Sequence, residues 1–517
     1  MVNKFKTRVL SVVSFLSLIM SLTGCGASSY SKSAMYDNSD GLKGGDILGF
    51  SSIASNEVDF DSMNLGVNTE EYEHTDENNF LKVSEHPLST FSADVDTASY
   101  TNIRRLLTDE MDVPTDAVRI EEILNYFDYD YITPEGEEPF AVTTELSDCP
   151  WSDNQLLMIG IKAREDYHKD EHIPKNLVFL VDVSGSMYSD DKLPLVQKAF
   201  KMLTKELNGY DYISIVTYAD GDRVVLDGES GDNADKIVKA IDSLEAGGST
   251  AGERGIQKAY EIAEKHFIPN GNNRIILATD GDLNVGISSP EELKVLVEEK
   301  RKTGICLSVL GFGTGNLKDN NMEALADFGN GNYSYIDCVS EAKKVLVDEM
   351  DSTLTTVAKD VKFQVEFNPD NISEYRLIGY ENRALEDKDF EDDKKDAGEV
   401  GAGDTVTVLY EIKRIEVPEG VTQPEDLMTI NVRCKKPNED ESKLYTYTIN
   451  SDLYTDKLPK NLNFAACCAE FGMLLKGSEY KGTASYAQID ELFSNYDYSD
   501  DEYKTEFLNL VHIAKNK

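Results

Sequence analysis

The chain has 517 residues, with 51 Lys and Arg against 95 Asp and Glu, a formal net charge of −44 at pH 7. That length accommodates two to four domains, and that charge repels phosphate backbones, which excludes nucleic acid as a general partner. A hydrophobic content of 40% excludes a chain disordered throughout, and six His with seven scattered Cys exclude a zinc ribbon or a disulfide scaffold.

The first elements along the chain are an address and a tether. Lys4, Lys6 and Arg8 precede an apolar run from Val9 to Leu22, too short for a comfortable membrane span and placed as a signal-peptide core. The run closes on Leu22-Thr23-Gly24-Cys25, which resembles a bacterial lipobox. Small residues give a peptidase access to the bond, and only Cys supplies a thiol for a diacylglyceryl group. Residues 1–24 are then the lipoprotein signal and Cys25 the lipidated mature N-terminus. This places the protein outside the cytoplasm, lipid-anchored to the bacterial cell membrane. Residues 25–85, rich in Ser, Gly, Asn and acid, read as a flexible tether with a reach of about 40 Å.

Order is expected from near Phe91. Thr97 to Leu107 and Ala117 to Phe127 have helical spacing, and Phe140 to Leu146 and Leu156 to Ile161 alternate as strands. From Asn176 strands and helices alternate. Strands are predicted at Leu177–Val181, Tyr212–Val216, Arg274–Ala278, Ile305–Leu310 and Tyr333–Ile336, with Val224–Leu226 as a short edge strand. Helices are predicted near Leu193–Leu207, Ala234–Leu244, Gly255–His266, Glu291–Lys300, Asn321–Phe328 and Ala342–Leu354. This alternation argues an α/β fold: a doubly wound, mostly parallel sheet with helices on both faces. After Thr355, five segments between Val361 and Asn450 read as an antiparallel β domain, with Asp387–Asp404 as a charged hairpin loop. The chain turns helical again from Asn461, and Leu462–Leu475, interrupted by Glu470, reads as a buried helix. Disulfides are not legible: pairing of Cys149 with Cys338 or Cys434 stays open, while Cys306 suits a buried free thiol.

The chemistry gathers at predicted strand ends. Asp182-Val183-Ser184-Gly185-Ser186 ends the first central strand, and in an extended loop side chains at i, i+2 and i+4 project to one side. One carboxylate and two hydroxyls make a hard-oxygen set suited to Mg²⁺ or Mn²⁺. Gly247-Gly248-Ser249-Thr250 and Thr279-Asp280-Gly281-Asp282 bring matching oxygens to the carboxyl ends of parallel strands, where doubly wound folds bind ligands.

On these residues the chain resembles a von Willebrand factor type A (VWA) domain with its metal-ion-dependent adhesion site. The family pattern is Asp-x-Ser-x-Ser, then Thr, then Asp. The resemblance assigns metal-ligating roles to Asp182, Ser184, Ser186, Thr250 and Asp280, with Mg²⁺ as the expected ion and Mn²⁺ or Ca²⁺ as alternatives. It also implies an acidic residue of a protein or cell-surface ligand completing the shell. The flanks Phe91–Tyr100, Arg119–Glu122, Asn463–Ala466 and Phe471–Ser478 resemble the extensions of a bacterial VWA lipoprotein group. The expected division is a VWA-associated α+β extension at 86–171, a Rossmann-like VWA domain at 172–352, an antiparallel β domain at 353–457 and a C-terminal helical segment at 458–517.

Enzyme motifs are absent. There is no phosphate loop, no His-Glu-x-x-His and no Gly-x-Ser-x-Gly. Gly311-Phe312-Gly313-Thr314-Gly315 lacks the last glycine of a dinucleotide fingerprint and reads as a flexible loop. Asp94-Val95-Asp96-Thr97 is similar to a haloacid-dehalogenase nucleophile motif, but Ser89–Ser92 before it is a poor buried strand. Asn495-x-Asp497-x-Ser499 carries Asp500 where a calcium loop requires Gly. The expectation is a metal-dependent binding protein rather than an enzyme. A scaffold subunit of an envelope complex is the alternative, and an envelope hydrolase the weaker one.

Overall fold

The computed structural model describes residues 70–517 apart from 137, 166–172, 249–251, 282–289, 316, 416–424, 438 and 440. The expected signal segment, Cys25, the expected tether up to residue 69, and Thr250 lie outside the described residues.

The N-terminal flank runs β1 (Leu81–Lys82), β2 (Leu88–Ser92), α1 (Ala98–Thr108), α2 (Ile120–Asn125), β3 (Phe140–Asp148) and β4 (Gln155–Ala163). Packing begins before Phe91, contrary to expectation. The Glu70 carboxylate accepts from Gly315 N–H at 2.9 Å and pairs with Arg105 at 3.0 Å, and these ionic partners tie down a polar stretch that has no apolar period to read. Ser89–Ser92 is a buried strand after all, because β2 pairs along its length with a long strand from the other end of the chain.

The central part follows the expected alternation: β5 (Lys175–Asp182), α3 (Leu193–Thr204), β6 (Tyr212–Tyr218), β7 (Asp222–Ser230), α4 (Ala234–Asp242), α5 (Gly252–Lys265), β8 (Asn272–Thr279), α6 (Pro290–Arg301), β9 (Cys306–Phe312), α7 (Asp319–Phe328), β10 (Tyr333–Ile336), α8 (Val339–Lys343) and α9 (Met350–Leu354). The strands form a six-stranded sheet in the order β10-β9-β8-β5-β6-β7, parallel except for the edge strand β7. Continuous apolar runs such as Leu177–Val181 are buried on both faces, which is why they lack alternation.

The C-terminal part contributes β11 (Thr356–Phe367), β12 (Ile372–Ile378), β13 (Gly398–Gly401), β14 (Thr405–Arg414), β15 (Asp426–Lys435), β16 (Lys443–Asn450), α10 (Lys460–Lys476), α11 (Tyr486–Phe493) and α12 (Glu502–Lys515). These strands do not form a sheet of their own. One antiparallel sheet runs β1-β12-β14-β4-β3, and the second is built on β11, which pairs with β15 on one side and with β2 and β13 on the other. The two sheets enclose a core containing Phe91, Phe363, Phe367, Tyr375 and Tyr410, and helices α1, α2 and α10–α12 cover the outer face of the first. The stretch predicted as a charged hairpin loop contains β13 and a buried Phe390. The Lys362 and Lys435 ammonium groups bind its carbonyls at Asp389, Asp392 and Asp393, drawing it onto the sheet.

Three arginines, Arg104 and Arg119 buried and Arg383 nearly so, join the flanks to the central sheet. Arg104 binds Asp337 and Glu341, Arg119 binds Asp319 and Glu323, and Arg383 binds Asp94, Asp96, Glu323 and Asp327. Asp319, Glu323 and Asp327 recur every four residues along one face of α7. The six cysteines from Cys149 to Cys468 are free thiols. Among the described residues no helix is long and apolar enough to cross a membrane.

Candidate functional site

Three neighbouring parallel strands, β6, β5 and β8, end together at the carboxyl edge of the central sheet. Their register sets Asp182 beside Tyr218 on one side and places Thr279 next to it on the other. Asp182 is fully buried; its Oδ1 accepts from Ser184 N–H at 2.8 Å and its Oδ2 from the Thr279 hydroxyl at 3.3 Å. Burial pushes the Asp182 carboxyl up to about 6, against the Ser184 N–H that holds it down, with Asp280 adding to the rise.

The loop after Asp182 is not extended throughout, as the i, i+2, i+4 argument required. Gly185–Tyr188 forms a single 3₁₀ turn closed by Met187 N–H on Ser184 C=O at 3.1 Å. The turn brings the Ser184 and Ser186 hydroxyls within 3.0 Å of each other, with Ser184 buried and Ser186 exposed. Gly185 N–H donates to Gly248 C=O at 3.0 Å and Gly247 N–H to Val183 C=O at 2.8 Å. The Gly247-Gly248 turn, with Gly248 at φ +88°, therefore lies over this loop.

Asp280 follows β8 and is fully buried. Its Oδ2 accepts from the Lys192 ammonium at 2.9 Å, and both side chains are enclosed. Lys192 precedes α3, and its stem crosses Gly313, where an added Cβ would stand 2.3 Å from Lys192 Cγ and Cε. Gly313 sits at φ +74°, and its carbonyl accepts from the Tyr335 hydroxyl at 2.7 Å. The Gly311–Gly315 stretch is thus the end of β9 and a bend shaped around a lysine stem, rather than simply a flexible loop.

The structure brings Asp182, Ser184 and Ser186 into one cluster, with Asp280 beside it. Sequence reasoning missed Lys192, Tyr218 and Tyr188. The buried Tyr218 hydroxyl faces the Asp182 carboxylate and Thr279, and Tyr188 is 82% exposed two residues beyond Ser186. Lys192 carried one signal, a lone cation after Asp190-Asp191 at a helix start.

The donors are all oxygens: carboxylates and hydroxyls, with an ammonium already drawn to one carboxylate and a buried tyrosine hydroxyl at the floor. That chemistry suits a hard divalent cation. Among the described residues no three His, Cys, Asp or Glu side chains converge as a metal centre, so any such site here depends on the serine hydroxyls. The other motifs do not converge: Asp94 and Asp96 are taken by Arg383, and Asp497 Oδ1 accepts from Ser499 N–H within its own loop at 3.0 Å.

Three family models match the chain. One described as von Willebrand factor covers residues 66–159, one described as von Willebrand factor type A domain covers 176–347, and one described as "Uncharacterized protein YfbK, C-terminal" covers 352–516. The chain is 43% identical over 470 residues to YfbK of Escherichia coli (strain K12), across 86% of this chain and 81% of that protein. It is 32% identical over 163 residues to human inter-alpha-trypsin inhibitor heavy chain H3, across 30% of this chain and 18% of that protein. Among solved structures, a von Willebrand factor type A protein from Catenulispora acidiphila aligns with a TM-score of 0.44 at 16% identity, over 74% of this chain and 92% of that one.

Proposed function

The chain belongs to the YfbK family, built around a von Willebrand factor type A domain, and from that premise we propose that it is an envelope lipoprotein that binds a protein or surface ligand through a divalent cation. Cys25 is the lipid attachment point, and the domain faces outward from the cell membrane. Asp182, Ser184, Ser186, Thr250 and Asp280 would hold the ion, Mg²⁺ before Mn²⁺ or Ca²⁺, and the ion supplies a Lewis-acidic position for a partner's carboxylate. The observation that carries this reading is the pair of serine hydroxyls 3.0 Å apart beside the buried Asp182. Tyr188, exposed on the same loop, offers a rigid aromatic contact of the kind that anchors protein interfaces. A cation here also offsets the repulsion that a chain of net charge −44 exerts on an acidic partner.

The test is calorimetric titration of the metal-stripped full chain with Mg²⁺ and Mn²⁺, beside Asp182→Ala. One saturable site, lost in the variant with thermal unfolding otherwise retained, is the expected result. A wild-type chain that takes up neither ion, or a variant that binds as the wild type does, overturns the proposal.

A further inference from the structure

We propose that Lys192 is the specificity-determining residue of this site: its ammonium leaves the loaded site one positive charge in excess, and this selects a partner carboxylate. The inference rests on the metal reading above. Two buried carboxylates, Asp182 and Asp280, face one buried ammonium 2.9 Å from Asp280. Summed over these described buried groups, the charge is one negative without an ion and one positive with a divalent ion. The serine hydroxyls are neutral, and the nearby carboxylates of Asp190 and Asp220, exposed, and of Asp191, half-buried, lie where water and salt reach and screen them. A single carboxylate from outside restores neutrality and adds a hard oxygen to the shell.

The ammonium cannot swing away to let the two aspartates neutralise the ion by themselves. Its stem is enclosed and runs against the backbone of Gly313, whose positive φ and missing Cβ make the passage. It cannot act as a ligand either, since an ammonium has three donors and no acceptor. Its two effects are to offset the buried charge of Asp280 when no ion is bound, and to weaken the grip of the site on a bare cation.

The experiment is Mn²⁺ titration of the full chain as wild type, Lys192→Met and Lys192→Arg, each with and without acetate at matched ionic strength. Acetate is expected to tighten Mn²⁺ binding in the wild type. Lys192→Met should bind Mn²⁺ alone about tenfold more tightly or better, from loss of the nearby charge, and should gain nothing from acetate. Lys192→Arg should resemble the wild type. Thermal unfolding gives a second readout: Lys192→Met should melt lower in EDTA and rise further with Mn²⁺ than the wild type. If Lys192→Met binds Mn²⁺ no better than the wild type, or acetate has no effect on the wild type, this inference falls while the metal site stands. A wild type that binds no Mn²⁺ overturns the metal reading itself.

Discussion

Glu470 is a carboxyl held where no water reaches it: the residue is fully buried in α10, and the Ser485 backbone N–H compensates its burial only in part. Burial pushes it up to about 8, so the folded chain keeps the proton at neutral pH. A raised carboxyl favours the folded state fully below the unfolded value of 4.5, and that contribution is lost as pH rises through about 8. Urea unfolding at pH 6 and pH 9 should therefore show the wild type losing stability over that interval. Glu470→Gln should lose about 2–3 kcal/mol less, two pH units at about 1.36 kcal/mol each. Glu121, also raised by burial, keeps titrating in the variant and leaves a residual slope. An identical loss in both proteins would show that Glu470 is ionised or hydrated in the fold. At this scale legibility follows locality. Asp182, Ser184 and Ser186 lie within five residues and Asp280 ends an apolar strand, so each declares itself in the sequence. Lys192 acquires its meaning only through contacts with Asp280 and Gly313, each about a hundred residues away, and no local pattern records them.

Elements were legible where burial sets their period and obscure where partners do. The helix expected at Ala342–Leu354 is interrupted by a π turn at Lys344–Asp348, closed by Glu349 N–H on Lys344 C=O at 2.8 Å. The turn aligns residues five apart, Lys343 with Asp348 and Lys344 with Glu349, a spacing that a 3.6-residue reading treats as unrelated. The β9–α7 connection shows the same dependence on distant partners. Gly313→Ala places a Cβ at a positive φ and 2.3 Å from the Lys192 stem, where overlap costs about 1–3 kcal/mol. Gly221→Ala meets no atom within 4 Å and serves as the control. Denaturant midpoints should fall for the first and stay within error for the second. Equal midpoints would mean that the lysine stem and the bend yield together without strain.

On the scale of the whole molecule, the central sheet interrupts a second structure whose halves precede and follow it. Strand β14 lies between β12 and β4, and eight consecutive residues, Thr405 to Ile412, pair with Lys162 to Gln155 of the N-terminal flank. Strand β11 likewise takes β2 along Lys362–Glu366. Sequence periodicity identified most of these strands, but partnership across more than two hundred residues leaves no period, so the flanks read as successive domains. The family model that matches 352–516 marks a stretch of sequence rather than a complete core. Residues 353–517 produced alone would expose the β14 edge along the β4 register and half of the cluster that joins Trp151 and Leu156 to Phe464 and Phe471. That fragment should show no cooperative unfolding transition and should associate, whereas adding residues 70–165 in trans should restore a cooperative transition and co-elution. A sharp transition from the C-terminal fragment by itself would mean that β12, β14 and the helices make a sufficient core. In that case the arginine links from Arg104, Arg119 and Arg383 would serve to orient finished domains instead of completing one.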